Sequence, residues 1–190
     1  MQEPGDGLPR RPVAVWKNPR SGFSLIELMA AMAIATIVAG IAIPSMVGAL
    51  KVYRRNAAVS QIMGDVRKAR AEAIMTGWQF RIFGFNSGAS SAYKNQYRIM
   101  GRSSTGAGWP ADTAASFQSS TQLARAWVDI GTQYRGVRLN PSDGTADFSV
   151  AFDSRGVRIE LDSFDPLVVA GESGPNKSLR ISAVGSARIE

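Results

Sequence analysis

Three hydrophobic patterns follow one another along the chain. The first is an apolar run. No charged residue occurs between Leu28 and Leu50, a stretch of 23 residues. As a helix this spans about 35 Å, enough to cross a hydrocarbon core of about 30 Å. The second pattern is a stripe. Val59, Ile62, Val66, Ala69 and Ala73 recur at spacings of three and four. This predicts that the helix runs on to about Met75 with one buried face. Arg55, Asp65, Arg67, Lys68, Arg70 and Glu72 fall largely off the stripe and read as a solvated face, with Asp65 and Lys68 spaced to pair. Gly77 supplies a stop after Thr76.

The third pattern is β-type. Residues 79–85 alternate polar and apolar over most of their length. Further short runs fall at 97–100, 126–130, 137–139, 148–152, 157–161, 167–169 and 179–182. Asp153-Ser154-Arg155-Gly156 reads as a hairpin turn. Phe148, Val150 and Phe152 share one strand face, as do Val157, Ile159 and Leu161, and these six predict much of the core. The stretch 101–121 is rich in Ser, Thr, Gly and Ala and reads as a surface loop. Trp109-Pro110 within it either pins the loop to the domain or offers a contact to a partner; pinning is the simpler reading. The fold class expected is α+β, a long N-terminal helix packed on an antiparallel β-sheet domain.

Charge changes the picture at two places. Residues 1–22 hold Arg10, Arg11, Lys17 and Arg20 among Pro4, Pro9, Pro12 and Pro19, the composition of a processing segment. These cations favour the cytoplasmic side, but Lys51, Arg54 and Arg55 close behind the span make charge alone a weak guide to orientation. Glu27 then sits one turn inside the apolar run. A carboxylate there costs up to about 2.5–3.5 kcal/mol, less near an end than at the centre, and calls for a neutralising partner. The net charge is +7 and unevenly spread: thirteen Lys/Arg face four Asp/Glu from Lys51 to Arg138, against five and eight from Leu139 to Glu190. Cysteine and histidine are both absent. No disulfide, thiol nucleophile or imidazole base is available, and no catalytic residue, cofactor or metal is expected. Asp143, Asp147, Asp162 and Asp165 have no calcium-loop spacing and read as turn and surface residues.

Gly22-Phe23-Ser24-Leu25-Ile26-Glu27 before an apolar helix resembles the class III signal of type IV pilins and of the pseudopilins of type II secretion. The resemblance implies that a prepilin peptidase cuts after Gly22 and methylates the new amino terminus at Phe23. It implies that Glu27 pairs with that α-amino group, in its own helix or a neighbour's, and fixes register between subunits. Pro44 matches the family's helix-bending proline, where helices partly melt on packing into a filament, with Gly40 and Gly48 as flexible neighbours. Residues 66–74, with Ala69-Arg70-Ala71-Glu72-Ala73, resemble the end of the first helix in the GspH/FimT group, though Ala71 stands where serine is common.

The parts implied are a leader at 1–22, a membrane and assembly helix at 23–50, its amphipathic continuation at 51–76, and a periplasmic β-rich domain at 77–190 held at the inner membrane. Its partners would be the peptidase, other pilin or pseudopilin subunits and inner-membrane lipid. The function implied is assembly of a type IV pilus as a FimT/FimU-like minor pilin; the alternative is a GspH-like pseudopilin of type II secretion. A further alternative is DNA binding during uptake. The group's basic C-terminal segment corresponds to Gly185-Ser186-Ala187-Arg188, with serine in place of the first arginine, leaving Arg180 and Arg188 as candidates. Arg98, Arg102, Arg125, Arg135 and Arg138 would add a basic patch, since phosphate contacts need clustered cations.

Overall fold

The computed structural model describes residues 22–103, 105–162, 164 and 166–190. The described residues fall into two compact units that divide between Ala42 and Ile43. Helix α1 runs from Leu25 to Thr76. It starts at an N-cap serine, Ser24, and ends where Gly77 takes a left-handed φ of 73°. Pro44 lies inside it without ending it.

Up to Met46 every described residue of the first half is exposed, as its unbroken apolar composition leads one to expect of a segment made for lipid or other helices. Beyond Leu50 the helix acquires an inside. Ala58, Val59, Ile62, Val66, Ala69 and Ala73 are buried, all the members of the predicted stripe among them.

Two antiparallel sheets receive that stripe. The larger contains β1 (Gln79–Phe85), β2 (Gln96–Arg102), β3 (Phe117–Gln118), β4 (Gln122–Ala124), β5 (Val128–Asp129), β7 (Asp147–Phe152) and β8 (Arg158–Asp162). Its order is β3-β4-β2-β1-β7-β8, with β5 also on β2. The smaller has the order β11-β10-β9-β6, from β6 (Arg138–Pro141), β9 (Leu167–Ala170), β10 (Lys177–Ile181) and β11 (Ala187–Ile189). A single helical turn, α2 (Ile130–Gln133), is capped by Asp129. Phe80, Ile82, Tyr97, Ile99, Phe148, Val150 and Phe152 of the larger sheet share one core with Leu139, Leu167, Val169, Leu179 and Ile181 of the smaller and with the helix stripe.

Two sequence expectations fail for stated reasons. Val157 and Ile159 are 38% and 40% exposed and do not join Phe148, Val150 and Phe152 in the core. The pairing of β7 with β8 shifts register between Ala151 and Phe152, so Phe152 faces Arg158 while Ala151 faces Glu160. Ile159 is the extra residue of that irregularity, and strict alternation does not survive a bulge. Asp65 does not pair with Lys68; its carboxylate accepts the Tyr97 hydroxyl at 2.5 Å. The run at 126–130 is shared between β5 and α2, and the short strands β3, β4 and β11 gave no signal in the sequence.

The stretch expected as a loop is held down by Trp109. The guanidinium groups of Arg81 and Arg102 lie over its ring, at 5.0 and 4.2 Å from its centre, and its indole N–H donates to Glu160 at 3.1 Å. Pinning is therefore the role the structure gives this residue.

Candidate functional site

The start of α1 is built by two reciprocal hydrogen bonds. The Glu27 amide donates to Ser24 Oγ at 3.3 Å, and the Ser24 amide donates to Glu27 Oε2 at 3.1 Å. Serine followed three residues later by glutamate is a capping box, which satisfies two backbone donors that the first helical turn would leave open. The carboxylate also faces the positive end of the helix dipole. Glu27 thus has a role within its own chain that the apolar context alone did not reveal, although the Ser-x-x-Glu spacing carried the signal. Among the described residues, Oε1 of Glu27 accepts no hydrogen bond. Phe23, directly before the cap, is exposed, and shares one strip of the helix surface with Glu27, Leu28, Ala31 and Ile34. The residues that sequence reasoning singled out at this end are therefore adjacent. Pro44 stands apart from them, with Gly40 and Gly48 in open surroundings on either side.

The arginine candidates fare differently. Arg180 and Arg188 face each other across β10 and β11. Both are claimed by one carboxylate: Glu190 lies 2.8 Å from Arg180 Nε and 2.7 Å from Arg188 Nη2. The wider patch does not form. Arg98 is fully buried, donating to the Ala114 carbonyl at 2.6 Å under the Trp127 ring, and burial pulls its pKa below the usual arginine value. Arg102 donates to Gln79 at 2.7 Å and pairs with Glu160 at 3.6 Å. Arg125 grips Glu72 through both carboxylate oxygens, at 2.7 and 2.8 Å. Arg135 and Arg138 are the exposed members of the five. Arg98, Arg102 and Arg125 were drawn inward by partners that composition does not show.

The segment 66–74 is explained by what it touches. Ala69 and Ala73 are buried, letting the helix lie close on the sheets. Arg70 Nε donates to the Gly156 carbonyl at 2.9 Å, and its side chain also lies over Gly185. Glu72 holds Arg125. Higher up, Tyr134 donates to Gln61 at 2.6 Å, and Arg55, itself buried, donates to the Ser173 carbonyl at 2.9 Å. The Tyr97 phenol is pushed above the ordinary tyrosine range, first by burial and then by its bond to Asp65, so it remains a donor. The face read as solvated is partly a row of links to the sheets.

A membrane-length helix with a capped, exposed N-terminal segment, continued into two antiparallel sheets, defines a pilin-type subunit. Family models agree with that architecture. The model for the prokaryotic N-terminal methylation motif matches residues 17–43, and the model for type II transport protein GspH matches residues 58–185. The latter covers most of the chain, which belongs to the GspH family. It is a minor pilin or pseudopilin, anchored by its apolar helix. Among curated proteins no relative matches. Two crystal structures of the type IV minor pilin FimU from Pseudomonas aeruginosa are similar at 14% and 13% identity, with TM-scores of 0.46 and 0.43. Each alignment covers 71% of this chain, and 87% and 91% respectively of the FimU chains.

Proposed function

We propose that the chain is cut after Gly22 by a prepilin peptidase, methylated at Phe23, and assembled as a minor subunit into a type IV pilus at the inner membrane, with its β-domain in the periplasm. The observation that carries this reading is the capping box beside the expected cleavage point. Cleavage would leave the Ser24 amide in place, so the bond to Glu27 Oε2 would persist. It would add an α-ammonium at Phe23, next to a carboxylate whose Oε1 still has capacity. In hydrocarbon or between helices, a hydrogen-bonded ion pair offsets much of the burial cost of both charges, while removal of one partner strands the other. Pro44 would let the helix loosen as subunits pack.

Glu27→Ala tests this. Mass spectrometry of the mature chain should still find methylated Phe23 at its start, while the subunit disappears from sheared filaments. Undiminished incorporation of the variant would rule out the role given to Glu27. A mature chain that retains Met1 would rule out the processing itself.

A second reading, a pseudopilin of the type II secretion filament, is favoured by the description of the matching family, a type II transport protein. Copurification of the detergent-solubilised subunit with secretion components rather than pilus components would choose it. DNA binding through Arg180 and Arg188 is a weaker proposal because Glu190 neutralises much of their charge. It requires that Glu190→Gln strengthen a gel shift at low salt and that the shift fade steeply as salt rises.

A further inference from the structure

We propose that the first turn of α1 beyond the uncharged stretch, with the loops packed around it, is a collar that binds the phosphate groups of anionic phospholipids. The inference rests on reading residues 28–50 as a membrane span. The collar is assembled from distant parts of the chain. Lys51, Arg54 and Arg55 follow Leu50 directly on the helix. The loop between β9 and β10 folds against that turn: Glu172 pairs with Lys51 at 3.0 Å, and the Ser173 carbonyl accepts from Arg55. Gly174 takes a φ of 79° in this loop and lies against the Arg55 guanidinium, where a side chain would crowd it.

The segment after α2 brings two more cations to the same place. Arg138 lines a hollow with Gly171 and Glu172. Lys51, first, and then Arg135 and Arg54 hold the Glu172 carboxyl below its usual range, which sets all three cations within electrostatic reach of it. Three cations thus act on one carboxylate, Arg138 lines the hollow beside it, and Arg55 is held by the same loop. Lys51 occupies that carboxylate and Arg55 is spent on a carbonyl. Among the described residues Arg54, Arg135 and Arg138 make no ion pair, and Arg135 and Arg138 are exposed.

Tyr53 supplies an independent observation. It is 71% exposed in the same turn, where nothing in the domain covers it. Tyrosine with an apolar ring and a polar tip is the side chain favoured at the headgroup level, and unpaired Arg at that level attracts anionic lipid. The β-domain could have turned neutral loops towards this turn; it turns arginines.

The test uses the full-length chain in nanodiscs of phosphatidylcholine and phosphatidylglycerol at equal amounts. Native mass spectrometry then counts the lipids each released protein retains. The wild type should retain phosphatidylglycerol over phosphatidylcholine by about fivefold or more, the factor that one surface cation near an anionic bilayer implies. The triple variant Arg54→Gln, Arg135→Gln, Arg138→Gln should fall towards parity, and Glu172→Gln should raise the ratio above wild type. Parity in the wild type, or an unchanged ratio in the triple variant, overturns the collar. Failure of the wild type to enter the nanodiscs overturns the membrane-span reading beneath it, a distinct result.

Discussion

Ile37 and Ile62 belong to one helix, yet Ile37 is 67% exposed and Ile62 is 1% exposed. Around Ile37 the helix is apolar on every side and its side chains are exposed among the described residues. Around Ile62 it is amphipathic and its inner face is filled by two sheets. The difference lies in the partner each half is made for. A helix that is hydrophobic all round has to find lipid or other helices, whereas a striped one completes a core. Charge follows the same division. The first half carries Glu27 alone, and Ser24 at the helix start engages one of its two carboxylate oxygens. The second half carries many charges, and those facing the sheets act as fasteners.

The largest effect that could break this comparison is Ile62→Ala. It should cost about 2–5 kcal/mol of domain stability, by loss of transfer energy and creation of a cavity. Ile37→Ala should leave the unfolding of the β-domain unchanged in detergent. Equal losses in the two variants, measured by chemical denaturation, would end the distinction.

Next comes Glu72→Ala. It strands Arg125 at a partly exposed position, where solvent screening limits the loss to about 1–2 kcal/mol. Arg67→Ala, on the exposed side of the same helix, should stay within about 0.5 kcal/mol. A double-mutant cycle of Glu72 with Arg125 should return most of the Glu72 loss as coupling.

A smaller, pH-dependent effect is expected at the turn that Arg70 grips. Burial opposes the charge on Asp153, but the amides of Val157 and Arg155 and the Arg155 guanidinium outweigh it and hold the carboxyl below its usual range. A depressed folded-state pKa stabilises above the unfolded value, about 3.9, and the contribution is lost as pH falls through the folded value. Asp153→Asn should therefore be destabilising at neutral pH, with the gap to wild type closing in strong acid; a gap independent of pH would contradict this.

The smallest effect is at the helix start. Ser24→Ala removes one half of the capping box, worth about 1 kcal/mol, and should speed amide exchange at Glu27 about fivefold without changing domain stability.

What the sequence disclosed follows from how local each signal is. The stripe of α1, its stop at Gly77 and the hairpin at Asp153–Gly156 depend on residues close in sequence, and all appear in the structure. The N-terminal methylation motif was also legible, because it is contiguous in sequence. The partner of Glu27 inside the chain was legible too, in the Ser-x-x-Glu spacing, but the burial cost of a carboxylate drew attention to charge pairing instead. The fate of Arg98 and Arg102 was not legible. Each looks like any surface arginine until Trp127 and Trp109, distant in sequence, come to lie over them. Val157 and Ile159 were misread because one bulge reverses a strand's alternation, and a bulge is set by the neighbouring strand.

Arg55, Gln61, Asp65, Arg70 and Glu72 each reach across to a different part of the β-domain, Asp65 to a strand and the others to its loops and turns. They are distributed over several turns of one rod. Sliding that rod lengthwise would rupture all five attachments together rather than in sequence. A tug on this portion of the helix therefore arrives at the β-domain as a shared load, and the domain travels with its handle.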